Sequence, residues 1–355
     1  MLLFRTAKLT KSAGRRSDQK KETCIMIRVG ILGCGRIGNV HATSLLQIQS
    51  AKLVAVADAV PEAASVCAKR FNVEARTIDG IIHGADIDAV IIASPSPTHF
   101  DLIHAVAGSK KPIFCEKPID MSSERVRTCI ATVEAAGVPF MTGFNQRFDP
   151  HFGALQQRLA SGEIGNVETV TITSRDPAPP PIEYLKGSGG IFRDMMIHDF
   201  DLARFLLGEN PIRIFATGSA LVDPAIRDMG DVDTAVAILT TKSGKICQIS
   251  NSRRATYGYD QRLEVHGSEG MLRVSNVHES LVESATHNGF TMPVAKPFFL
   301  ERFGPAYLAE MQHFINCINA GTAPTPNAND GLCAQLIADA ANESLARGEP
   351  VDINY

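Results

Sequence analysis

Residues 27–38 read IRVGILGCGRIG, and this stretch decides the fold of the chain. Its first half, Ile27 to Leu32, is a short apolar run rich in β-branched residues, as a buried parallel strand requires. The run leads directly into the glycine pattern GCGRIG at 33–38, and a helical segment from Ile37 to Gln49 follows. Glycine turns occur in many proteins. Here the strand before the turn at 33–38 and the helix after that turn indicate a nucleotide-binding unit.

An acidic residue at the end of the next strand strengthens this interpretation. Asp58 follows the apolar run Leu53 to Ala57 and lies 20 residues past Gly38. A carboxylate at this place accepts hydrogen bonds from both hydroxyls of an adenosine ribose and repels a 2′-phosphate, so the sequence predicts NAD rather than NADP. The alternative is an ordinary glycine turn followed by an Asp that caps a helix.

Strands and helices continue to alternate as far as residue 118, which predicts a doubly wound parallel sheet. The polar loop SPSPTH at 94–99 stands at the carboxyl end of one predicted strand, and Glu116-Lys117-Pro118 closes the next. Ligands bind at such strand ends, so Lys117 is placed to meet cofactor and substrate. An exposed turn lysine is the alternative. The predicted elements after Asp58 are a helix at Pro61–Phe71, a strand at Ala89–Ala93, a helix at Phe100–Gly108 and a strand at Pro112–Cys115.

A second informative stretch is GGIFRDMMIHDFDLARFLL at 189–207, which we predict to be one helix opened by a glycine turn. At 100° per residue, Asp194, His198 and Asp201 share one face, within an apolar stripe where burial without partners is costly. A carboxylate beside an imidazole tunes its pKa toward neutrality, which favours acid-base chemistry. One alternative is a core histidine satisfied by a carboxylate. Another is metal-dependent hydrolysis or lyase chemistry at His198, Asp199 and Asp201, although one His with acids is a poor zinc set.

Composition limits the class of protein. A length of 355 residues suggests two domains, and 45% hydrophobic residues without a long apolar run predict a soluble protein that does not span a membrane. The net charge of -3 includes seven Lys or Arg against two acids in residues 1–25, which leaves -8 for the rest. An acidic body argues against a nucleic-acid partner. The eight cysteines show no CxxC spacing, which predicts buried thiols and a cytoplasmic, reducing location.

The basic segment 1–25 lacks the apolar core of a secretory signal. It is rich in Arg and Lys and poor in acids, like a mitochondrial transit peptide. Alternatively, the true first residue is Met26, because the first strand begins at the very next residue. We favour Met26, and in either case we expect the segment to be disordered.

The second half of the chain predicts one sizeable sheet followed by helices. A hairpin turn is expected at 241–244, and the closing helices, at Tyr307–Ala320 and Asn329–Arg347, are expected to return to the first domain. β-Branched content and turn residues predict strands at 167–175, 212–218, 234–240, 245–251, 261–266 and 270–275.

With GCGRIG at 33–38, EKP at 116–118 and D-x-x-x-H at 194–198, the chain after Met26 resembles the Gfo/Idh/MocA oxidoreductase family along nearly its whole length. The combination of the last two motifs is specific to the family. The resemblance implies an α/β protein with an N-terminal NAD-binding Rossmann domain at 26–144. It also implies a C-terminal α+β domain at 145–355, with an open, mostly antiparallel sheet that binds substrate and forms a homotetramer.

Within the family, three shorter stretches make the chain most similar to the dehydrogenases of inositols: GFNQRFD at 143–149, SRDP at 174–177 and YGYD at 257–260. This resemblance implies NAD-dependent oxidation of a secondary alcohol of a cyclic polyol to a ketone, with myo-inositol and 2-keto-myo-inositol as the first candidates. A different inositol isomer or an aldose remains an alternative substrate.

The resemblance also implies the roles of individual residues. Lys117, Asp194 and His198 form the catalytic set: His198 takes the hydroxyl proton, Lys117 donates to the reacting oxygen, and Asp194 holds that pair. No metal is expected. The predicted substrate ligands are Asn145, Arg147, Asp176, Asp201 and Tyr259. The predicted cofactor contacts are Gly33, Gly35, Arg36, Ile37, Gly38, Asp58, Ser94, Pro95, His99, Glu116 and Lys117.

A non-catalytic protein that binds NAD and acts as a regulator is the alternative from another class, because fold alone does not prove activity. The intact set of Lys117, Asp194 and His198 favours the enzyme.

Overall fold

The structure is a computed structural model that describes residues 25–355. The predictions for the leader, apart from Ile25, lie outside the described residues. Within the described part of the chain, no helix is long and apolar enough to cross a membrane.

The first sheet has six strands, all parallel, in the order β3-β2-β1-β4-β5-β6. Its core strands β1 and β4 are almost entirely buried, as expected for a sheet with helices on both faces. The elements are β1 Ile27–Leu32, α1 Arg36–Leu45, β2 Ala51–Ala57, α2 Pro61–Phe71, β3 Glu74–Ala75, α3 Ile78–Ile82, β4 Ala89–Ile92, α4 His99–Gly108, β5 Ile113–Glu116, α5 Ser123–Ala136 and β6 Phe140–Gly143.

The strand order reverses between β1 and β4, and this is where the carboxyl ends leave a crevice. Leu32 at the end of β1 pairs with Ile92 at the end of β4. The glycine turn and the loop after β4 therefore lie side by side. The doubly wound parallel sheet predicted from the sequence is confirmed.

The second sheet has seven strands in the order β12-β11-β7-β10-β9-β8-β15. Only β7 and β10 run parallel to each other, so the sheet is mostly antiparallel, as predicted. The remaining elements are α6 Pro150–Ala160, β7 Val167–Arg175, α7 Ile182–Ser188, α8 Ile191–Asp194, α9 Met196–Leu207, β8 Pro211–Ser219, α10 Pro224–Asp228, β9 Thr234–Thr241, β10 Ile246–Ser252, β11 Asp260–Gly267, β12 Gly270–Val274, β13 Ser284–Thr286, β14 Gly289–Thr291, α11 Phe299–Ala320, α12 Ala328–Arg347 and β15 Val351–Asp352.

The two faces of this sheet differ. One face packs against α9 and α12 and contributes alternate residues such as Ala237, Leu239 and Ile249 to the largest core. The opposite face carries Ile238 and Ile246, whose side chains are exposed. Alternation along each strand therefore places apolar residues on both faces.

The last two helices join the domains. α11 packs on α1 and adds Phe314 and Ile315 to the core of the first sheet. The amino-terminal part of α12 contributes Leu332 to the other face of that sheet, and its later turns contribute Ile337 to the core of the second. α11 begins at Phe299 rather than at Tyr307, because the helix continues through the proline at 305 and buries Arg302 and Phe303 in its first two turns.

Candidate active site

The glycine turn after β1 is shaped by close backbone contacts. Gly33 has φ +107°, and a Cβ there would lie 2.5 Å from the backbone of Ala93 and Ser94. A Cβ on Gly38 would lie 2.0 Å from the carbonyl oxygen of Gly33. A Cβ on Gly35, in contrast, would have no neighbour within 4 Å. The turn is thus tightly packed on the protein side and open on the side where the amino end of α1 would meet a pyrophosphate.

Asp58 follows β2, and its side chain lies against the glycine turn. Its Oδ2 accepts a hydrogen bond of 2.7 Å from the amide of Cys34, and its Oδ1 accepts one of 2.9 Å from the amide of Val60. These bonds fix the carboxylate beside the turn, and its contact with the ribose hydroxyls stays a prediction.

Both ring nitrogens of His99 lie within hydrogen-bond distance of backbone carbonyl oxygens. The side chain is buried, with Nδ1 2.9 Å from the carbonyl oxygen of Pro118 and Nε2 2.8 Å from that of Ser94. Burial lowers the pKa of His99. These contacts tie the loop after β4 to the loop after β5, and a contact of His99 with the cofactor stays a prediction. Ser94 and Pro95 remain at the strand end.

Two other predicted cofactor residues adjoin the turn at the start of α1. The Arg36 guanidinium stacks on the ring of Phe298, 5.6 Å from its centroid, and Ile37 packs against the main core. Glu116 lies at the end of β5, and its Oε1 is 2.7 Å from Nε2 of the buried His41, within hydrogen-bond distance. Its carboxylate is thereby held under the strand end that carries Lys117.

Lys117 reaches from the first domain to the second. Its Nζ donates a hydrogen bond of 2.8 Å to the backbone carbonyl oxygen of Asp194 and lies 3.8 Å from Oδ1 of the same residue. The Lys117–Pro118 peptide bond is cis. The structure therefore brings two of the three predicted catalytic residues together where the domains meet.

The stretch 189–207 is not one helix, contrary to the prediction. It forms α8 and α9, with a break at Met195. In a continuous helix the carbonyl of Asp194 would accept from the amide of His198. Here that carbonyl accepts from Lys117, and the His198 amide is instead 3.4 Å from the carbonyl of Met195. The contact between domains thus replaces a helical hydrogen bond.

His198 is placed at the start of α9. Its Nδ1 is buried and has no hydrogen-bond partner within the described part of the chain, and its ring packs edge-on against that of Phe144, with the ring centroids 6.0 Å apart. Burial, and then the positive charge of Lys117, lowers the pKa of His198 well below its usual value. The expectation that a carboxylate tunes this pKa toward neutrality is therefore wrong. Burial and the charge of Lys117 therefore favour the neutral form of this imidazole.

Asp194 has two further partners that the sequence did not reveal. The Tyr184 hydroxyl donates to Oδ1 at 2.8 Å, and Nη2 of Arg253 donates to Oδ2 at 3.1 Å. Tyr184 lies on α7 and Arg253 directly follows β10, so neither has a local spacing to Asp194. Neither the residue type nor the position of Tyr184 and Arg253 in the sequence indicates that they contact Asp194.

Asp176, directly after β7, belongs to the same group of charges. Burial raises the pKa of Asp176 to about 6, with Arg253 acting in the opposite direction. Tyr259 is buried with its ring against Phe298 and Phe303, and burial followed by the charge of Asp176 raises the pKa of its phenol. The charges of Asp194 and Lys117 also act on the pKa of Asp176.

Arg147 and Asp201, both predicted to bind substrate, instead bind each other. Nε of Arg147 is 2.7 Å from one Asp201 oxygen, and its Nη2 is 2.5 Å from the other. Arg204 and Asp330 extend this ion-pair cluster. Both carboxylate oxygens of Asp201 are engaged within the protein, and the assignment of these two residues to substrate stays a prediction. Asn145 is buried on the short 3-10 helix after β6.

The alternative metal set is dispersed as well. Asp199 is fully buried with Oδ2 2.7 Å from Nδ2 of Asn251, and burial raises its pKa to about 7. Both oxygens of Asp201 bind Arg147, and Nδ1 of His198 has no hydrogen-bond partner among residues 25–355. Between residues 25 and 355 no three His, Cys, Asp or Glu side chains are grouped as a metal site requires.

A sheet that reverses at β1 and β4, a glycine turn at the reversal, and a second domain that brings Asp194 and His198 to the same edge define a dinucleotide-dependent oxidoreductase. Comparison with family models gives the same class. The model for the oxidoreductase family with an NAD-binding Rossmann fold, GFO/IDH/MocA, matches residues 27–144, and that for the GFO/IDH/MocA C-terminal domain matches residues 152–273. The chain belongs to the GFO/IDH/MocA family, and NAD is its cofactor.

Similar proteins carry names from one area of chemistry. Inositol 2-dehydrogenase of Rhizobium meliloti is 53% identical over 92% of this chain and 99% of its own. Myo-inositol 2-dehydrogenase of Thermotoga maritima is 43% identical over 92% of this chain and 98% of its own. The crystal structure of scyllo-inositol dehydrogenase from Lactobacillus casei, with bound NAD(H) and scyllo-inositol, superposes with a TM-score of 0.87 at 32% identity over 92% of this chain and 99% of that one.

Proposed function

We propose that this protein oxidises one secondary hydroxyl of a cyclic polyol to a ketone, with myo-inositol as substrate and 2-keto-myo-inositol as product. The observation that carries the proposal is the junction of Lys117 with Asp194, beside His198, at the NAD-binding edge of the first sheet. The 53% identity to an inositol 2-dehydrogenase supports the choice of substrate.

The residues of the first domain fit NAD. The open space above Gly35 would admit the pyrophosphate, and Asp58 would hold the adenosine ribose. When bound, NAD supplies the acceptor for a hydride. The work left to the chain is to bind the polyol and to take one proton.

We propose that His198 is the base that accepts this proton. A base must be unprotonated to act, and burial keeps this imidazole neutral. Lys117 has two N–H groups beyond the one bonded to the Asp194 carbonyl, and these can donate to the reacting oxygen as charge develops on it.

Asn145, Asp176 and Tyr259 are the proposed ligands for the other hydroxyls. A polyol offers both donors and acceptors, and a site that bonds each hydroxyl rejects analogues that lack one. Asp176 supplies a carboxyl group close to the catalytic charges, and Asn145 supplies an amide from the first 3-10 turn after β6.

The test is an NAD reduction assay with a panel of inositol isomers and aldoses. We expect the highest kcat/KM with myo-inositol. A higher value with scyllo-inositol or an aldose would replace the substrate and keep the reaction. If NAD binds but no polyol is oxidised, the chain is a binding protein rather than an enzyme.

We also propose that the protein is a homotetramer in the cytoplasm. The outer face of the second sheet carries exposed apolar residues, such as Ile212 on β8, Ile238 on β9 and Ile246 on β10, which a second copy would cover. The seven cysteines of the described part are free thiols, as in a reducing compartment. Light scattering would give the oligomeric state, and Ile238→Glu should reduce it.

A further inference from the structure

The carboxylate of Asp194 is held from two sides by groups other than Lys117. Oδ1 accepts from the hydroxyl of Tyr184 at 2.8 Å, and Oδ2 accepts from Arg253 at 3.1 Å. Lys117 lies within reach, yet its Nζ stays 3.8 Å from Oδ1 and bonds the backbone carbonyl instead. An ammonium bonded to a carboxylate normally lies at about 2.7–2.9 Å. The lysine and the aspartate are therefore neighbours without a close ion pair.

Arg253 is committed to this arrangement. Its side chain is 1% exposed, and Asp194 is its ion-pair partner. Its Nε is buried and has no hydrogen-bond partner among the residues that the structure describes, and its backbone amide donates to the carbonyl oxygen of the buried Asp233 at 2.8 Å. A buried guanidinium with an unsatisfied N–H is costly, so packing alone is a poor reason for an arginine at this position.

We propose that Arg253 and Tyr184 are positioning residues that hold the Asp194 carboxylate and so keep the Lys117 ammonium free for the substrate oxygen. Each of the two residues donates to one Asp194 oxygen, which weakens the attraction of the carboxylate for Lys117. The backbone carbonyl then fixes Nζ in place through a single N–H, and the remaining two N–H groups face the reaction. The expected change in kcat rests on the proposed function, whereas the expected distance between Lys117 and the Asp194 carboxylate does not depend on activity.

The charged groups around Asp194 come from every neighbouring element. Lys117 approaches from β5, Asp176 from the end of β7, Tyr184 from α7, His198 from α9 and Arg253 from the end of β10. Removing Arg253 leaves two carboxylates and one lysine. Lys117 is then the nearest cation to Asp194 and is expected to close on it.

The first experiment compares Arg253→Met with Arg253→Lys. We expect Arg253→Met to lower kcat by about 10- to 100-fold, because a shift of about 1 Å in a reacting group costs that much. The dissociation constant for NAD should not change, and Arg253→Lys should recover most of the loss. An equal loss in both variants with a lower Tm would show a merely structural arginine and overturn the proposal.

Tyr184→Phe is the second variant, and it tests the proposal even if Arg253→Met does not fold. Tyr184 is 54% exposed, so loss of its hydroxyl should leave Tm unchanged while kcat falls by about 3- to 10-fold. Tyr355→Phe is the matched control, since that hydroxyl bonds only the carbonyl of Pro211 at 2.9 Å, and it should keep full activity. Normal kcat in Tyr184→Phe would contradict the proposal.

Crystal structures of Tyr184→Phe and of each Arg253 variant that folds give a readout that needs no turnover. We expect Lys117 Nζ to move to within about 3.2 Å of an Asp194 oxygen in Tyr184→Phe and Arg253→Met. An unchanged separation overturns the proposal whatever the substrate proves to be. If the wild type oxidises no polyol but the lysine moves as expected, the proposed function fails and the positioning role stands.

Discussion

The two domains build their parts of the site in different ways. In the first domain the backbone sets the geometry. A Cβ added to Gly33 or Gly38 would lie only 2.0–2.5 Å from neighbouring backbone atoms, and two backbone amides fix the carboxylate of Asp58. In the second, side chains hold one another, as Asp194 shows with Tyr184 and Arg253. Backbone geometry tolerates few substitutions but is easy to recognise in a sequence. Side-chain networks admit more substitutions and are hard to recognise.

The largest expected effect lies in the second domain. His198→Ala should lower kcat for alcohol oxidation by about 10²- to 10⁴-fold, because the neutral imidazole that takes the proton is lost. NAD dissociation should change little, since the first domain remains intact. Steady-state kinetics and an NAD titration check both parts. His266→Ala, on exposed strand surface, is the control. Near-normal kcat in His198→Ala would mean that another group is the base.

The glycine turn gives the sharpest contrast within the first domain. Gly38→Ala places a Cβ 2.0 Å from a backbone oxygen and should lower the free energy of unfolding by about 1–3 kcal/mol. Gly35→Ala meets nothing within 4 Å and should leave stability unchanged, but its methyl group enters the space assigned to the pyrophosphate. Both should weaken NAD binding. Denaturant unfolding and NAD titration separate the two effects, and equal destabilisation would contradict this account of the turn.

Asp58→Ala should relax the choice of cofactor. The variant loses the acceptor for the ribose hydroxyls and the charge that opposes a 2′-phosphate, so the ratio of kcat/KM for NAD to that for NADP should fall by about tenfold or more. Asp58→Asn, which keeps an acceptor but not the charge, should show a smaller change. The same ratio in all three proteins would remove Asp58 from the cofactor site.

The smallest expected effect concerns His99. Its pKa is lowered by burial, so on acidification below about pH 6.5 the unfolded chain takes up the proton first and stability falls. The slope is at most about 1.4 kcal/mol per pH unit, down to the folded-state pKa. In His99→Gln this component should be absent. Unfolding free energies measured from about pH 5 to 7 should therefore give a shallower curve for the variant, and parallel curves would contradict the assignment.

The contrast between domains also explains what could be predicted. The parallel sheet, the glycine turn and the position of Asp58 follow from local spacing, because successive elements of a βαβ unit are neighbours in space. The break at Met195 could not be predicted, since it depends on a lysine 77 residues earlier. The same holds for Arg253, which lies 59 residues past Asp194. The contacts of the His99 ring with two backbone carbonyls could not be predicted either, because one of the carbonyls lies 19 residues further along the chain.

The hydrogen bond from Lys117 to the carbonyl of Asp194 has a consequence for how this site can evolve. A backbone oxygen is present whatever residue occupies position 194, so inherited changes at that position can alter the carboxylate without releasing the lysine. The backbone fixes the position of Lys117, whereas a single substitution at position 194 changes the side chain beside it. A lineage can therefore explore new reactions at this junction one substitution at a time while its oxyanion donor stays in place.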